Sequence, residues 1–323
     1  MKLPVRAAAA PIRCVLMSAT LGLSGAAMAQ SSVTIFGAAD AGIGKIEYGD
    51  NPGAKKTQMI AGSLMNHATS HVGLRGVEDL GGGLKVGFNF ETNLSLENGN
   101  NLTTGSGGGF WGRSARLYVE GGWGQLEMGR TYVPSFLSMI SWQLTAAANY
   151  SVVGSTYNWG GAGVRTNSMI GYRTPRFGDF SAHLGYVLKH DNGGASRWDA
   201  TLKYAAGPIV ATLGVNKVQN AKAGYSLGGR YSFGGFAVAA SYNQATRVNA
   251  RRRGFSLGGQ ATMGAATLTL DVTRDTKNEW AAKKYTNALL EGRYALSKRT
   301  FIYAAMLRLD GTNNYGLGVR HNF

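Results

Sequence analysis

Arginine and lysine side chains recur on one face of several alternating segments of this 323-residue chain. In each of these segments every second residue is polar or glycine, and apolar residues occupy the positions between them. The basic residues that fall among the polar positions include Arg75, Lys85, Arg116 and Arg173. We call the odd or even set of positions to which a residue belongs its parity. Side chains two residues apart point to the same face of a β-strand. Basic side chains gathered around an aqueous space attract anions. We therefore expect these four residues to lie on a polar, positively charged face.

The same predicted face carries carboxylates, so each basic residue could instead be held in an ion pair. The acidic residues of that parity are Asp40, Glu91, Glu120, Glu127, Asp199, Asp271 and Glu291. For Arg230, Arg293 and Arg320 both roles stay open. For Arg75 and Arg116 we favour the anion-attracting role.

The sequence offers no grouping that indicates catalysis, a cofactor or a metal site. The five histidines are scattered along the chain. His67 and His71 have a spacing that aligns ligands only on a helix, yet they flank a predicted junction between a loop and a strand. The glycine runs at 81–83 and 107–109 lack the lysine and the helix of a phosphate-binding loop. We predict no enzyme activity, no cofactor and no metal.

Residues 1–29 have the features of a secretory signal peptide. Basic residues precede the apolar run 14–23, and an A-x-A motif predicts cleavage between Ala29 and Gln30. Cys14 is the only cysteine, so the mature chain would have no disulfide. Removing the three basic residues of this segment lowers the net charge from +16 to +13. Because an exported protein has no routine access to nucleic acid, we expect no such partner.

Period-two alternation continues through most of residues 30–323 and ends on an aromatic residue. In the final segment, Tyr315 to Phe323, apolar and aromatic side chains alternate with glycine and polar ones. A strand that ends in this way places its last ring at a lipid–water boundary. We find no uninterrupted apolar run of the roughly 20 residues that a membrane helix requires. The pattern predicts an all-β transmembrane barrel.

Short and long connections alternate between these segments, as they do in such barrels. The predicted long loops span 47–66, 97–110, 137–163, 190–196, 217–224, 245–253, 274–284 and 310–314. Counting the segments between connections gives sixteen antiparallel strands. A barrel of that size encloses water rather than a packed core.

These features together resemble the sixteen-stranded general porins of Gram-negative outer membranes, and most closely the β-proteobacterial porin family. The resemblance rests on the signal peptide, the opening Ser32-Val33-Thr34-Ile35-Phe36-Gly37, the Gly129-Arg130-Thr131-Tyr132 element and terminal Phe323. It implies one barrel domain over residues 30–323, a homotrimer and a third loop that folds into the lumen. It also implies that loop 97–110 latches onto a neighbouring subunit and that Phe323 is read by the barrel-assembly machinery.

The third loop of this chain departs from cation-preferring porins, since residues 137–163 contain no Asp, Glu, Lys or Arg. The resemblance places Arg75, Arg116 and Arg130 at the constriction opposite this loop. Arg130 shares its parity with apolar Leu126 and Met128, so either a β-bulge re-aims it or those two residues face inward. With no acidic partners on the loop, we expect wall arginines to favour anions.

The resemblance implies a passive diffusion channel for small hydrophilic solutes and ions, with a preference for anions. One alternative is a substrate-specific channel for phosphate or small dicarboxylates, and a less favoured one is an outer-membrane barrel enzyme. The basic run Arg251 to Arg253 is predicted to lie in an outer loop and to bridge anionic lipopolysaccharide.

Overall fold

The alternating segments form antiparallel strands, as their period predicts. A computed structural model describes residues 32–49, 56–101, 109–247, 250–281 and 283–323. The predicted signal peptide and its cleavage site between Ala29 and Gln30 lie outside the described residues, as does much of the predicted latch loop 97–110.

The strands and helices follow in simple chain order. The strands are β1 (Ser32–Lys45), β2 (Gln58–Ile60), β3 (His71–Gly81), β4 (Leu84–Asn93), β5 (Ser114–Gly121), β6 (Gly124–Tyr132), β7 (Arg165–Arg173), β8 (Phe180–Val187), β9 (Arg197–Ala206), β10 (Ile209–Val218), β11 (Gly224–Phe233), β12 (Phe236–Arg247), β13 (Ala250–Met263), β14 (Ala266–Asn278), β15 (Thr286–Ala295), β16 (Thr300–Leu309) and β17 (Thr312–Asn322). Helices α1 (Pro134–Trp142) and α2 (Val152–Tyr157) lie between β6 and β7. Short 3-10 turns follow at Asn158–Gly161 and Lys189–Asn192.

The long strands close into one antiparallel barrel. Strand β1 pairs with β3 through Ser32–Ala38 and with β17 through Ala38–Lys45, so the first and last strands complete the ring. Strand β2 is a three-residue addition that pairs with β1. Leaving β2 aside, the wall has the predicted sixteen strands, and this prediction is confirmed.

The two faces of the wall differ as the alternation predicts. Large apolar side chains are exposed on one face, for example Ile35 (67%), Leu257 (68%) and Leu317 (59%). The opposite face carries carboxylates that are completely buried, among them Asp40, Glu127 and Glu291. Exposed apolar side chains around a closed barrel form its lipid-contacting band. Among the described residues, no helix has the length and hydrophobicity to cross a bilayer.

Two predicted loops are much shorter in the structure. The predicted loop 245–253 is largely strand, because β12 continues to Arg247 and β13 begins at Ala250. The predicted loop 310–314 is a two-residue turn of Asp310 and Gly311, both with positive φ. Two positive φ values match the twist of a tight hairpin. The polarity of these residues had suggested loops, but cross-strand pairing extends through them.

The largest buried apolar cluster combines barrel strands with the long connection between β6 and β7. Trp142, Tyr150 and Tyr157 of this connection are almost fully buried together with Leu289 of β15 and Tyr303 of β16. Helix α1 contacts β8 to β11, and α2 contacts β12 to β16. We call residues 133–164 the third-loop segment.

Candidate functional site

Two buried carboxylates of the wall hold the third-loop segment at both helices. At the start of α1, the backbone amide and the hydroxyl of Ser135 donate hydrogen bonds to Asp199 Oδ1, at 2.9 and 2.6 Å. A carboxylate at a helix N-terminus satisfies free amides and interacts favourably with the helix dipole. Before α2, the hydroxyl of Tyr150 donates to Glu291 Oε1 at 2.6 Å. Burial and the neighbouring Glu291 raise the pKa of Tyr150, so this phenol remains a donor.

A cavity of about 1000 Å³ lies between the third-loop segment and the wall. Its basic lining consists of Arg113, Arg130, Arg165, Arg197 and Arg320. Its acidic lining consists of Glu91 and Asp191, and Asp191 is exposed on the 3-10 turn after β8. Arginine is therefore in clear excess in this part of the molecule.

Three of these arginines are held by neutral hydrogen-bond acceptors. Arg130 donates to the carbonyl of Gly112 at 2.7 Å and to the side-chain oxygen of Asn167. Arg165 donates to the Tyr132 hydroxyl at 2.5 Å. Arg197 donates to the carbonyl of Ala162. Among the described residues, no carboxylate oxygen lies within 4 Å of these three guanidinium groups. We call Arg130, Arg165 and Arg197 the unpaired arginines.

The other two arginines of the cavity do have acidic partners. Arg113 lies 3.3 Å from Glu91 and also donates to Asn93 and Tyr132. Arg320 lies 3.6 Å from Asp40. For Arg320 the structure therefore shows the ion-pair alternative that the sequence left open. The excess positive charge of the cavity comes from the unpaired arginines.

A second basic cluster lies towards the short turns. Lys85, Arg116 and Arg173 line a cavity of about 500 Å³ there, together with Glu120. The buried carboxylate of Glu127 forms ion pairs with Arg116 and, at 3.3 Å, with Arg173. Arg116 and Arg173 thus share one acidic partner, and the anion-attracting role favoured for Arg116 stays a prediction.

Arg75 lies in neither cavity lining. Its guanidinium carbon is 4.9 Å from the centre of the Phe36 ring, and the side chain is exposed. A cation over an aromatic face is held in place without losing its charge. Of the five basic residues expected at the constriction, Arg130 borders the large cavity, and Lys85, Arg116 and Arg173 border the small one. Arg75 pairs across strands with Asn89, which pairs in turn with Arg116, so these two arginines lie at the same level of the wall.

An irregularity of the wall lies beside Arg130. Asn167 and Ser168 of β7 together oppose the single residue Arg130 of β6, so the extra residue of this β-bulge belongs to β7. Gly129, just before Arg130, has φ of +124°. Met128 is 53% exposed, so the alternative in which Leu126 and Met128 face inward is not what the structure shows.

Sequence reasoning missed Arg113, Arg165 and Arg197 because they lie at strand ends. Arg113 precedes the first residue of β5, while Arg165 and Arg197 are the first residues of β7 and β9. At the end of a strand the alternation of polar and apolar residues has neighbours on one side only, so it does not indicate which face a side chain occupies. The one feature that these three arginines share in the sequence is their position directly after a long connection.

Features that suggest other chemistry have structural explanations. His67 packs against the rings of Tyr150 and Phe301, and Nδ1 of His71 lies 3.1 Å from the carbonyl oxygen of Thr69. The described residues contain no group of three or more His, Cys, Asp or Glu side chains arranged for a metal. The segments 224–228 and 254–258 match G-x-S-x-G, but both lie within strands rather than at a strand-to-helix turn.

Comparison with known proteins agrees with this architecture. The sequence model of a family described as Gram-negative porin matches residues 13–314. The chain belongs to the Gram-negative porin family. The porin is 31% identical over 330 residues to outer membrane porin protein 32 of Delftia acidovorans, covering 94% of this chain and 90% of that protein.

Solved structures show the same fold. An anion-selective porin from Comamonas acidovorans superposes with a TM-score of 0.75 at 27% identity, covering 91% of this chain and all of the other. The trimer form of OmpT from Vibrio cholerae gives 0.69 at 14% identity, covering 91% and 99%. The protein is thus an outer-membrane channel of a Gram-negative bacterium. Its apolar outer band contacts lipid, and its polar face borders the aqueous path.

Proposed function

We propose that this porin conducts small hydrophilic solutes by passive diffusion and prefers anions to cations. The observation that carries the proposal is the set of unpaired arginines on the large cavity, bordered by a third-loop segment that has no charged residue from 137 to 163. The name of the Comamonas acidovorans porin, which describes it as anion-selective, supports the same conclusion. Passage through an open pore requires no reaction chemistry.

We infer that the third-loop segment lies across the lumen and narrows it. Its helices contact nine consecutive strands, β8 to β16, which form more than half of the wall. The contacts reach the wall through Asp199 and Glu291, whose side chains belong to the polar face. One connection can reach so many strands from the polar side only by running inside the ring.

The unpaired arginines would select by charge at this narrowing. Two unit charges about 4 Å apart interact by roughly 1 kcal/mol in bulk water, and by more where protein walls exclude water. Each unpaired arginine can therefore change the relative permeability of chloride and potassium by about two- to five-fold.

The test is the zero-current potential of the purified porin in a planar bilayer under a KCl gradient. We expect a potential of chloride sign that becomes smaller in Arg130→Ala, Arg165→Ala and Arg197→Ala. Arg274→Ala is the matched control, because Arg274 pairs across strands with exposed Phe255 on the outer face and should not alter selectivity. A potassium-sign potential in the wild type would refute the anion preference while leaving the channel itself intact.

We also propose that the porin is a homotrimer assembled after removal of residues 1–29. OmpT of Vibrio cholerae, which shares the fold, has a trimer form, and this supports the proposal. Phe323 is exposed beside β1 and is available to the barrel-assembly machinery. For lipopolysaccharide the expected site becomes smaller. Arg252 is buried between Asp275 and Asp310, so Arg251 and Arg253 remain as the candidates from the predicted run. Chemical cross-linking in native membranes tests the trimer, with purified monomer as the reference. A cross-linked species of three times the monomer mass is expected.

A further inference from the structure

The large cavity has an aromatic wall beside its arginines. Tyr132 and Phe136 stack with ring centres 5.0 Å apart, and Trp159 meets Phe136 edge to face at 4.8 Å. Phe136 is buried, whereas Tyr132 and Trp159 are half-buried and border the cavity. We call these three residues the aromatic wall. A path for inorganic anions gains little from such a surface, because the face of an aromatic ring offers an anion no hydrogen-bond donor.

The chain holds Trp159 in this wall by a conformation that non-glycine residues rarely adopt. Asn158 and Trp159 have φ of +45° and +53°. Such backbone persists only where surrounding contacts impose it. The indole packs over Gly154 of α2, where a Cβ would lie 2.7 Å from Cη2 of Trp159. The absence of a side chain at Gly154 thus allows the ring to lie where it does.

Arginine and aromatic surface meet within the same cavity. The guanidinium carbon of Arg165 is 4.2 Å from the centre of the Tyr132 ring. A guanidinium nitrogen of Arg165 donates a hydrogen bond to the Tyr132 hydroxyl. Arg130 and Arg197 line the same space as Trp159. A flat solute with one anionic group could therefore contact both surfaces at once.

We propose that this cavity is a binding site for aromatic carboxylates, with the carboxylate on the unpaired arginines and the ring against the aromatic wall. The proposal rests on the anion-conducting function proposed above. Arginine presents paired donors that suit a carboxylate, and aromatic rings pair favourably when offset or edge to face. Aliphatic anions of the same charge would use only the arginines. The ring should strengthen binding about ten-fold, which is about 1.4 kcal/mol.

The experiment measures how benzoate and acetate block the chloride current of the full-length porin in a planar bilayer at neutral pH. We expect benzoate to reach half-block at a concentration about ten-fold lower than acetate. Trp159→Ala should raise the benzoate value to that of acetate and leave acetate unchanged. Trp123→Ala is the matched control, because exposed Trp123 stacks on Tyr172 at the turn between β5 and β6 and should behave as wild type.

A second variant guards against misfolding. Gly154→Ala keeps the indole but displaces it from α2, so the benzoate advantage should also fall. Equal half-blocking concentrations for benzoate and acetate in the wild type would overturn the proposal without any variant. So would a benzoate advantage that survives in both Trp159→Ala and Gly154→Ala. The zero-current potential under a KCl gradient, measured without benzoate or acetate, reports the anion preference. Failure of the proposed anion preference can therefore be distinguished from failure of the proposed binding site.

Discussion

Glu127 shows how one side chain can set the charge of part of the pore. Its carboxylate is fully buried and contacts Arg116, Arg173 and, at 3.1 Å, the ring of His183. Those two arginines lie at the edge of the smaller cavity and remain partly exposed. Removing the carboxylate would leave their charges to act on solutes.

We predict that Glu127→Gln increases the chloride preference by about two- to five-fold, since two arginine charges lose their fixed partner. It should also lower barrel stability, because breaking a buried pair commonly costs about 3–5 kcal/mol. The zero-current potential under a KCl gradient measures the first effect. Glu279→Gln, which changes an outer carboxylate paired with Lys277, is the control. An unchanged potential in Glu127→Gln would show that ions do not sense this cluster.

His67 is a second residue whose surroundings fix its charge. Burial, together with the positive charges of Arg320 and Arg293, lowers the pKa of His67 to about 3. In the unfolded chain a histidine titrates near the ordinary value of 6.5. Between these values the unfolded state binds a proton that the folded state does not, so stability falls as the pH decreases from 6.5 towards 3.

We predict that His67→Phe removes part of this acid sensitivity. The phenyl ring would fit among Tyr150, Phe301 and Tyr303, whose rings surround the imidazole. A single such group contributes at most about 1.4 kcal/mol per pH unit to the slope. Urea unfolding of the porin in detergent between pH 7 and 4 measures it. His190→Gln, on the exposed 3-10 turn, is the control, and identical slopes in wild type and His67→Phe would contradict the assignment.

At the scale of elements, hydrogen bonds from the wall anchor the third-loop segment, and two of these anchors are buried carboxylates. Asp199 caps α1 through Ser135, and Glu291 accepts from Tyr150 before α2. The apolar cluster around Trp142 and Tyr157 adds burial but little direction. The hydrogen bonds therefore add direction to the packing of the segment against the wall.

We predict that Asp199→Ala releases α1 and produces a larger, noisier single-channel conductance. The lost hydrogen bonds leave the Ser135 amide unsatisfied, at a cost of about 1–3 kcal/mol. Tyr150→Phe should have a similar but smaller effect at the second anchor. Tyr204→Phe, on the outer face beside Phe180, is the control and should conduct as wild type. A quiet, unchanged conductance in Asp199→Ala would show that packing alone holds the segment.

At the scale of the whole molecule, closure of the barrel depends on the contact of Gly37 with the end of the chain. Gly37 exchanges backbone hydrogen bonds with Phe323 at 3.0 and 3.1 Å. A Cβ at Gly37 would lie 2.6 Å from the ring of Phe323, and it would also clash with the backbone carbonyl oxygen of His71 on β3. Glycine therefore allows both β3 and the terminal ring to approach the first strand here.

We predict that Gly37→Val reduces assembly of folded barrel several-fold, because the side chain would clash with both the His71 carbonyl of β3 and the Phe323 ring. Heat-modifiable migration on gels, which separates folded from unfolded barrel, measures the fraction assembled. Gly259→Ala is the matched control, since nothing lies within 4 Å of a Cβ at that strand glycine. Equal assembly of Gly37→Val and Gly259→Ala would show that both β3 and the terminal ring move aside freely.

The sequence alone determined the strands, their number and the face of most wall residues. Alternation with a period of two is local, so it can be read wherever a strand continues on both sides. The uncharged third loop was equally visible, because it requires only composition. The alternation could not indicate which way a side chain points at a strand end or beside a β-bulge. Arg165, Arg197 and Arg130 lie at such places.

Tertiary structure decided which charges are neutralised. Arg116 and Arg320 were indistinguishable by parity from an unpaired arginine, and only the folded barrel brings Glu127 and Asp40 against them. Strands distant in sequence supply these partners, as when β17 meets β1. Electrostatic energy depends on distance and burial, and neither is encoded locally. The sequence therefore predicted a pore with an excess of positive charge, and the fold determined where that charge remains available.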